Sequence, residues 1–320
     1  MQALRFERTG ELSALQAQEI PAPELLTGDV LVRVVAAGLN PSDVKNVEGL
    51  FSYTTVPRTP GRDFAGVIAR GPAERVGEAV WGTGKELGFT RDGSHAEYVA
   101  VSLGGAAKKP ASLGFEQAAA VGVPYTTAWS ALERSGVLAG TKLVVIGATG
   151  AVGTAAMALA AWRGAHVVGA VRRRERAALL TSQGHQAILV EHPEALQDGV
   201  DTVFPGGAEV IFDTTGAFLE QAVSALASEG RIAVIAPPPS GHVELPVVSL
   251  YRRGGVVVGV NSLLYDSTAC ARMLDRIRDG FDTGRLAPPA RFTAVPFSSG
   301  LCAYHEVKAG SGKRVLVMGH

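Results

Sequence analysis

Cysteine is nearly missing from this chain: Cys270 and Cys302 are the only two, which excludes both a disulfide framework and a four-cysteine zinc site. A reducing cytoplasm is the compartment that fits. Excess charge is missing as well. Thirty Lys plus Arg balance thirty Asp plus Glu, leaving no positive surplus for a phosphate backbone or an anionic membrane. We therefore expect no nucleic-acid partner and no membrane partner. The segment Met1 to Gln16 carries Arg5, Glu7, Arg8 and Glu11 and lacks the apolar centre of a signal peptide, so no export is expected. One uncharged run, Leu143 to Trp162, has the twenty residues of a membrane span. Its glycines at 147, 150 and 153 crowd one end, which suits a strand, a glycine turn and a buried helix better than a spanning helix.

What is present is ample core material. With 320 residues and 47% hydrophobic side chains, the chain exceeds one ordinary core, and two domains are expected. Residues 2 to 120 read as short strands and turns: apolar and polar residues alternate in Leu12 to Glu19 and around Val30 to Val35, with turn residues between. An antiparallel or barrel-like unit without a long helix follows. From about residue 122, apolar runs alternate with helical segments, an α/β pattern. The runs are Leu143 to Ile146, His166 to Val171, Ala187 to Val190, Glu209 to Phe212, Arg231 to Ile235 and Val256 to Val260. Several are apolar on both faces, which predicts a parallel sheet. Crossover helices are expected at Val152 to Trp162, Arg174 to Gln183 and Leu219 to Ser228, with an irregular link from Val190 to Glu209. A further helix is expected at Ser267 to Asp279, and a last strand at Arg314 to Met318 that returns to the first domain.

The strongest motif follows the first of those runs. Gly147, Gly150 and Gly153 stand at three-residue intervals between a strand and an alanine-rich helix. Glycines let the backbone turn sharply and approach a pyrophosphate, while amide N–H groups and the helix dipole stabilise its charge. A turn that binds nothing is the plain alternative; the strand before, the helix after and the second strand ending at Val171 favour a dinucleotide site. Gly147, Thr149, Gly150, Ala151, Val152 and Gly153 are its candidate residues. After that second strand an acidic residue would bind ribose hydroxyls and repel a 2′-phosphate, but here Arg172, Arg173 and Arg174 follow. Guanidinium groups pair with phosphate through charge-assisted bonds, so NADPH is the expected cofactor.

Nearly the whole chain resembles the medium-chain dehydrogenase/reductase superfamily in its quinone oxidoreductase branch. The residues that carry the resemblance are Ala37 to Asp43, Thr59 to Val67, Gly93 to Val99, Gly122 to Ala128, Gly147 to Gly153 and Gly312 to Leu316. It implies an α/β protein: a GroES-like β-barrel catalytic domain from residues 1–121 and 286–320, a Rossmann doubly wound parallel sheet from 122–285, and an active site in the cleft. Where the zinc-dependent branch has a Cys, a His and usually a third ligand, this sequence has Asn40, Arg62 and Val123. These cannot supply a catalytic zinc set, and a metal-free enzyme is expected.

Without a metal, charge developing on a substrate oxygen must be met by hydrogen-bond donors. Asn40 is the first candidate, with a turn residue before Pro41 as its plain alternative. Tyr53, Tyr125 and Thr127 are further catalytic candidates, though packed tyrosines are common. Phe51 stands where related quinone reductases often have Tyr, which removes a donor. By family position Asn40 and Thr127 are expected near the nicotinamide, Thr214 and Thr215 on the ribose or adenine side, and Asn261 and Ser262 near the carboxamide, with Lys313 in reach of the cofactor. Capping or turn roles for the Ser and Thr residues, and a salt-bridged surface lysine at 313, are the plain alternatives. The spacing Tyr304-x-x-x-Lys308 resembles that of short-chain reductases but sits in the return segment, and we read it as accidental. The expected activity is NADPH-dependent, zinc-independent hydride transfer to a small-molecule quinone or another conjugated carbonyl, an enone or alkenal. The alternative is an NADPH-binding redox sensor or structural protein without significant turnover. The resemblance also suggests a homodimer through the edge strand at Val256 to Val260.

Overall fold

The computed structural model describes residues 1–238 and 240–319. The chain forms two compact units, Met1–Thr126 with Ser262–His320, and Thr127–Asn261.

The first unit opens with an antiparallel pair, β1 (Gln2–Phe6) and β2 (Leu15–Glu19). The expected strand from Leu12 starts late because Leu12–Ala14 form a 3-10 turn. The long strand β3 (Asp29–Leu39) leads into a short helix, α1 (Pro41–Val47). Then come β4 (Asp63–Arg70), β5 (Ala79–Gly82), β6 (Tyr98–Ser102), β7 (Ala107–Lys108), α2 (Phe115–Ala119) and the start of α3 (Gly122–Arg134), whose residues from Thr127 on belong to the second unit. The β3 sequence is Val-rich, which suits a pleated surface. It pairs with β4 and β6 and lies at the centre of the unit's large sheet.

The second unit contains β8 (Lys142–Ile146), α4 (Ala151–Trp162), β9 (His166–Val171), α5 (Arg174–Ser182), β10 (Gln186–Leu189), α6 (Leu196–Val203), β11 (Ala208–Asp213), α7 (Leu219–Ser224), β12 (Leu226–Val234), α8 (Val247–Arg252) and β13 (Val256–Gly259). All six strands pair in parallel in the order β10-β9-β8-β11-β12-β13. This is the doubly wound order whose ligands bind beyond the carboxyl ends of the strands, where the order reverses. The core combines Val144, Ile146, Val168, Ile188, Ile211 and Ile232 with Leu196 and Val200 of α6. That helix lies in the link expected to be irregular: Gly199 costs it some stability but faces Ile188. The helix expected to reach Ser228 ends at Ser224, because Leu226 already pairs with Ala208 in the sheet. No helix among the described residues is long and apolar enough to cross a membrane.

The chain then returns to the first unit with α9 (Ser267–Asp282), β14 (Thr293–Pro296), α10 (Gly300–Lys308) and β15 (Arg314–Val317). The last strand runs antiparallel to β3, and β14 pairs with β15. Residues 262–285, assigned from sequence to the Rossmann part, fall in the barrel unit. The physical reason is the buried face of α9, comprising Cys270, Ala271, Leu274, Ile277 and Phe281. The ring of Phe281 lies 6.1 Å from that of Trp81 in β5, and Ser267 N–H donates to Glu86 at 3.0 Å.

Candidate functional site

In the barrel unit, Asp63 heads β4 with no solvent exposure. A buried carboxylate is costly unless it is paired and hydrogen-bonded, and here it is both. Its Oδ2 accepts from Lys313 Nζ at 2.9 Å and from Asn40 Nδ2 at 2.9 Å; its Oδ1 accepts from the Val123 N–H at 2.8 Å. Lys313 Nζ also donates to Asn40 Oδ1 at 2.6 Å, closing a triangle of three side chains. Two glycines make room for it. A Cβ at Gly122 would stand 2.2 Å from Asp63 Oδ1, and one at Gly38 would stand 2.8 Å from Lys313 Nζ and 2.2 Å from the Ala119 carbonyl.

Around this triangle lie three more buried polar side chains. Asp43 Oδ2 accepts from the Asn40 N–H at 2.8 Å at the start of α1, while its Oδ1 has no partner among the described residues. Burial, then the like charge of Asp63, pushes the Asp43 carboxyl up to about 7. His95 Nδ1 lies 2.6 Å from the Tyr304 hydroxyl and Nε2 lies 3.4 Å from the Gly38 carbonyl. Burial pulls His95 down to about 4 and pushes the Tyr304 phenol up. The neutral ring therefore accepts from Tyr304 when Nε2–H faces Gly38. This accounts for the Tyr-x-x-x-Lys spacing without catalysis: Tyr304 belongs to the core, and Lys308 pairs with Glu48 at 2.5 Å. Arg62, 1% exposed, donates from Nε to the Gly84 carbonyl at 3.1 Å, from Nη1 to Ser262 Oγ at 3.2 Å and from Nη2 to the Ser262 carbonyl at 3.3 Å.

Five segments far apart in sequence meet here, contributing Asn40 with Asp43, Arg62 with Asp63, His95, Val123 and Lys313. Asp43, Asp63 and His95 were not singled out as site residues from sequence. One signal was legible for Asp63, a lone acid at the head of the apolar run Phe64 to Ala69. The other candidates differ in setting. Tyr53 is 47% exposed, and its ring stacks on Phe89 at 5.6 Å, with Phe51 6.0 Å away. Tyr125 is buried, packs 5.7 Å from Phe281, and has its phenol pushed up by burial.

In the second unit the glycine turn joins β8 to α4. A Cβ at Gly153 would stand 2.2 Å from the Gly147 carbonyl, so the first helical turn packs on the turn itself and admits no side chain there. Gly150 caps α4, whose twelve residues bring a helix N-terminus to the turn, with Ala151, Val152 and Gly153 in its first turn. Thr149 is half-buried between the glycines. Nearby, Thr214 Oγ1 donates to the Ile146 carbonyl at 2.7 Å. Buried Asp213 holds the adjoining loop, accepting from Thr215 N at 2.8 Å, Thr215 Oγ1 at 2.7 Å, Gly216 N at 3.1 Å and Phe218 N at 3.0 Å. Arg172 and Arg173 follow β9 and are exposed, and no acidic side chain among the described residues pairs with either; Arg174 lies 3.5 Å from Glu191. Thr127 is buried, and its hydroxyl has no partner among the described residues. Asn261 ends the unit. The cradle and the helix N-terminus fit the pyrophosphate of a nicotinamide dinucleotide.

A doubly wound unit with such a cradle, and a barrel unit assembled from both chain ends, define the architecture of a two-domain dehydrogenase. The chain belongs to the medium-chain dehydrogenase/reductase superfamily, and is an oxidoreductase of that family. Residues 27–111 match the alcohol dehydrogenase GroES-like domain, and residues 151–279 match the zinc-binding dehydrogenase family. A zinc-type alcohol dehydrogenase-like protein of Schizosaccharomyces pombe is 34% identical over 292 residues, 89% of this chain and 86% of that one. The human quinone oxidoreductase is 27% identical over 321 residues, 98% of this chain and 95% of that one. Among solved structures, an alcohol dehydrogenase superfamily protein from Novosphingobium aromaticivorans aligns with a TM-score of 0.88 at 25% identity, covering 100% of both chains.

The second family description implies zinc, and the residues present do not fit it. Zinc takes thiolate, imidazole or carboxylate ligands. Asn40 Oδ1 and Asp63 Oδ2 face an ammonium, Arg62 is a cation, and Val123 presents a backbone N–H. Among the described residues no group of three His, Cys, Asp or Glu is placed to hold a metal ion.

Proposed function

We propose that the protein is a zinc-independent, NADPH-dependent reductase that delivers hydride to quinones or other conjugated carbonyl acceptors such as enones and alkenals. The observation that carries this reading is the buried polar centre of the barrel unit, which offers an amide donor, Asn40, where its zinc-dependent relatives place a metal ligand. Conjugated acceptors suit such a centre. Their reduced oxygen is a stabilised phenolate or enolate, so a hydrogen-bond donor and good positioning can replace a Lewis acid.

A bound nicotinamide dinucleotide supplies the hydride. The turn from Gly147 to Gly153 cradles its pyrophosphate with backbone N–H groups, and Arg172 and Arg173 pair with its 2′-phosphate. Thr214 and Thr215 serve the ribose or adenine side, and Thr127, Asn261 and Ser262 the nicotinamide side. Asn40 donates Nδ2–H to the acceptor oxygen as charge gathers there. Tyr53, half-exposed beside Phe51 and Phe89, gives a flat acceptor an aromatic wall. Solvent then protonates the product oxygen, so no dedicated acid is needed.

Steady-state oxidation of NADPH against a panel of quinones and enones tests the reading. Turnover, at least about tenfold more efficient with NADPH than with NADH, is expected. Quenching of nucleotide fluorescence without consumption would support the non-catalytic alternative instead. We also infer a homodimer in a reducing cytoplasm. The sheet edge β13 carries Val256 at 46% exposure, and α8, which precedes it in the chain, carries Val247 at 61% and Tyr251 at 65%. An edge strand with apolar neighbours invites pairing with a second copy. Val256→Lys should shift sedimentation to the monomer; an unchanged profile contradicts this interface.

A further inference from the structure

We propose that Lys313 is a positioning residue whose ammonium does for the Asn40 amide what no metal does here: it fixes which end of that amide faces the acceptor. This rests on the function proposed above. An asparagine amide has two ends of similar size and opposite chemistry, an acceptor oxygen and a two-hydrogen donor. Lys313 can only donate, and its Nζ is 2.6 Å from Asn40 Oδ1. Asp63 Oδ2, 2.9 Å from Asn40 Nδ2 and 2.9 Å from Lys313 Nζ, accepts from both. The two partners read opposite ends, so a flipped amide would set oxygen against carboxylate and N–H against ammonium. One orientation survives.

The consequence is chemical as well as geometric. Nδ2 has two hydrogens, and Asp63 takes one. The second has no protein partner among the described residues and is the hydrogen assigned above to the acceptor oxygen. Donation from an ammonium into Oδ1 draws electron density from the amide and strengthens Nδ2–H as a donor, as hydrogen bonds in series do in a low-dielectric interior. The arrangement is built into the backbone. The room that Gly38 leaves for Nζ and Gly122 leaves for Asp63 would vanish with any Cβ at either position. Lys313 immediately precedes β15, and the Lys313 carbonyl accepts from the Thr293 N–H at 3.0 Å. Two of the three positions where the zinc branch has ligands, Asn40 and Val123, therefore surround a carboxylate neutralised by a lysine. A cation stands in the cluster, supplied by the chain itself.

The test compares Lys313→Gln and Lys313→Arg with the unaltered protein by two readouts. The first is the side-chain amide pair of Asn40 in nitrogen-15 spectra, assigned by its loss in Asn40→Ser. It should be resolved and slow to exchange in the native protein, and at least about tenfold faster to exchange in Lys313→Gln. The second is kinetics: kcat with a quinone should fall about 10- to 100-fold in Lys313→Gln while KM for NADPH stays within about twofold, with Lys313→Arg losing less. If Lys313→Gln fails to fold, the double variant Asp63→Asn with Lys313→Gln replaces the ion pair by a neutral amide pair and takes its place in both readouts. A folded variant with unchanged kcat, or with the Asn40 amide still protected, overturns the proposal. If the native protein consumes no NADPH, the functional reading fails, and the amide exchange alone still decides whether Lys313 positions Asn40.

Discussion

The unit of residues 127–261 makes its candidate site largely from backbone, whereas the barrel unit makes its own from side chains that bond one another. In the first case the glycine turn, the start of α4 and two exposed guanidinium groups come from the contiguous stretch Gly147 to Arg173. In the second, Asn40 with Asp43, Asp63, His95 and Lys313 come from four separate segments and are buried. A backbone site is readable wherever the chain is read, and it tolerates changes that leave the turn its room. A side-chain network is sensitive at every member, because removing one partner strands a charge or a donor in a medium that cannot solvate it.

Substitutions in either unit sharpen that contrast. The largest effect is expected from Gly153→Val, since even a Cβ there stands 2.2 Å from the Gly147 carbonyl. Nucleotide affinity should fall more than about 100-fold while the barrel unit keeps its fold. Fluorescence titration with NADPH checks this, and near-native affinity would contradict the cradle. Next is Asn40→Ala, which deletes the donor and leaves Lys313 and Asp63 each one bond short. A kcat loss of about 100-fold or more is expected, from the cost of removing one oxyanion donor.

The third expectation concerns acid and stability. His95 is pulled down to about 4 from its ordinary 6.5, so it contributes stability above pH 6.5 that is lost as pH falls toward 4, about 3 kcal/mol in all. Asp43 works in the opposite sense. Raised to about 7 from its ordinary 3.8, it contributes stability fully present below pH 3.8 and lost as pH rises through 7. Between pH 4 and 6.5 the two oppose each other. Asp43→Asn should therefore melt higher than the native protein at pH 8, with the advantage shrinking steadily on acidification. Thermal melts across pH settle it; a difference independent of pH would contradict the burial of Asp43. The smallest effect is expected from Arg172→Asp, which should weaken NADPH about tenfold or more relative to NADH without changing the melting temperature.

The same contrast explains what could be read from sequence. The six parallel strands, the glycine turn and the arginines after Val171 were legible because each is a local pattern: an apolar run, a spacing, a charge cluster. The return of β15 to the barrel was legible from Arg314 to Met318 together with the resemblance. The assignment of α9 was not. Its apolar stripe reads like one more crossover helix, and only tertiary packing shows that Phe281 meets Trp81 in the barrel unit. In the site, Asn40 and Lys313 were each legible as candidates, one toward substrate and one toward cofactor. Their bond to each other spans 273 positions and has no local signature. His95 and Asp43 escaped notice for the same reason, since a lone histidine or aspartate acquires a shifted pKa only from burial that folding supplies.

The proposed function requires that the cradle of the second unit capture a phosphorylated dinucleotide selectively. Calorimetric titration of the folded protein with NADPH and with NADH tests it most directly: NADPH should bind at least about tenfold tighter, a gap that closes in Arg172→Asp. No heat with NADPH, or equal affinity for both nucleotides in the native protein, would contradict it.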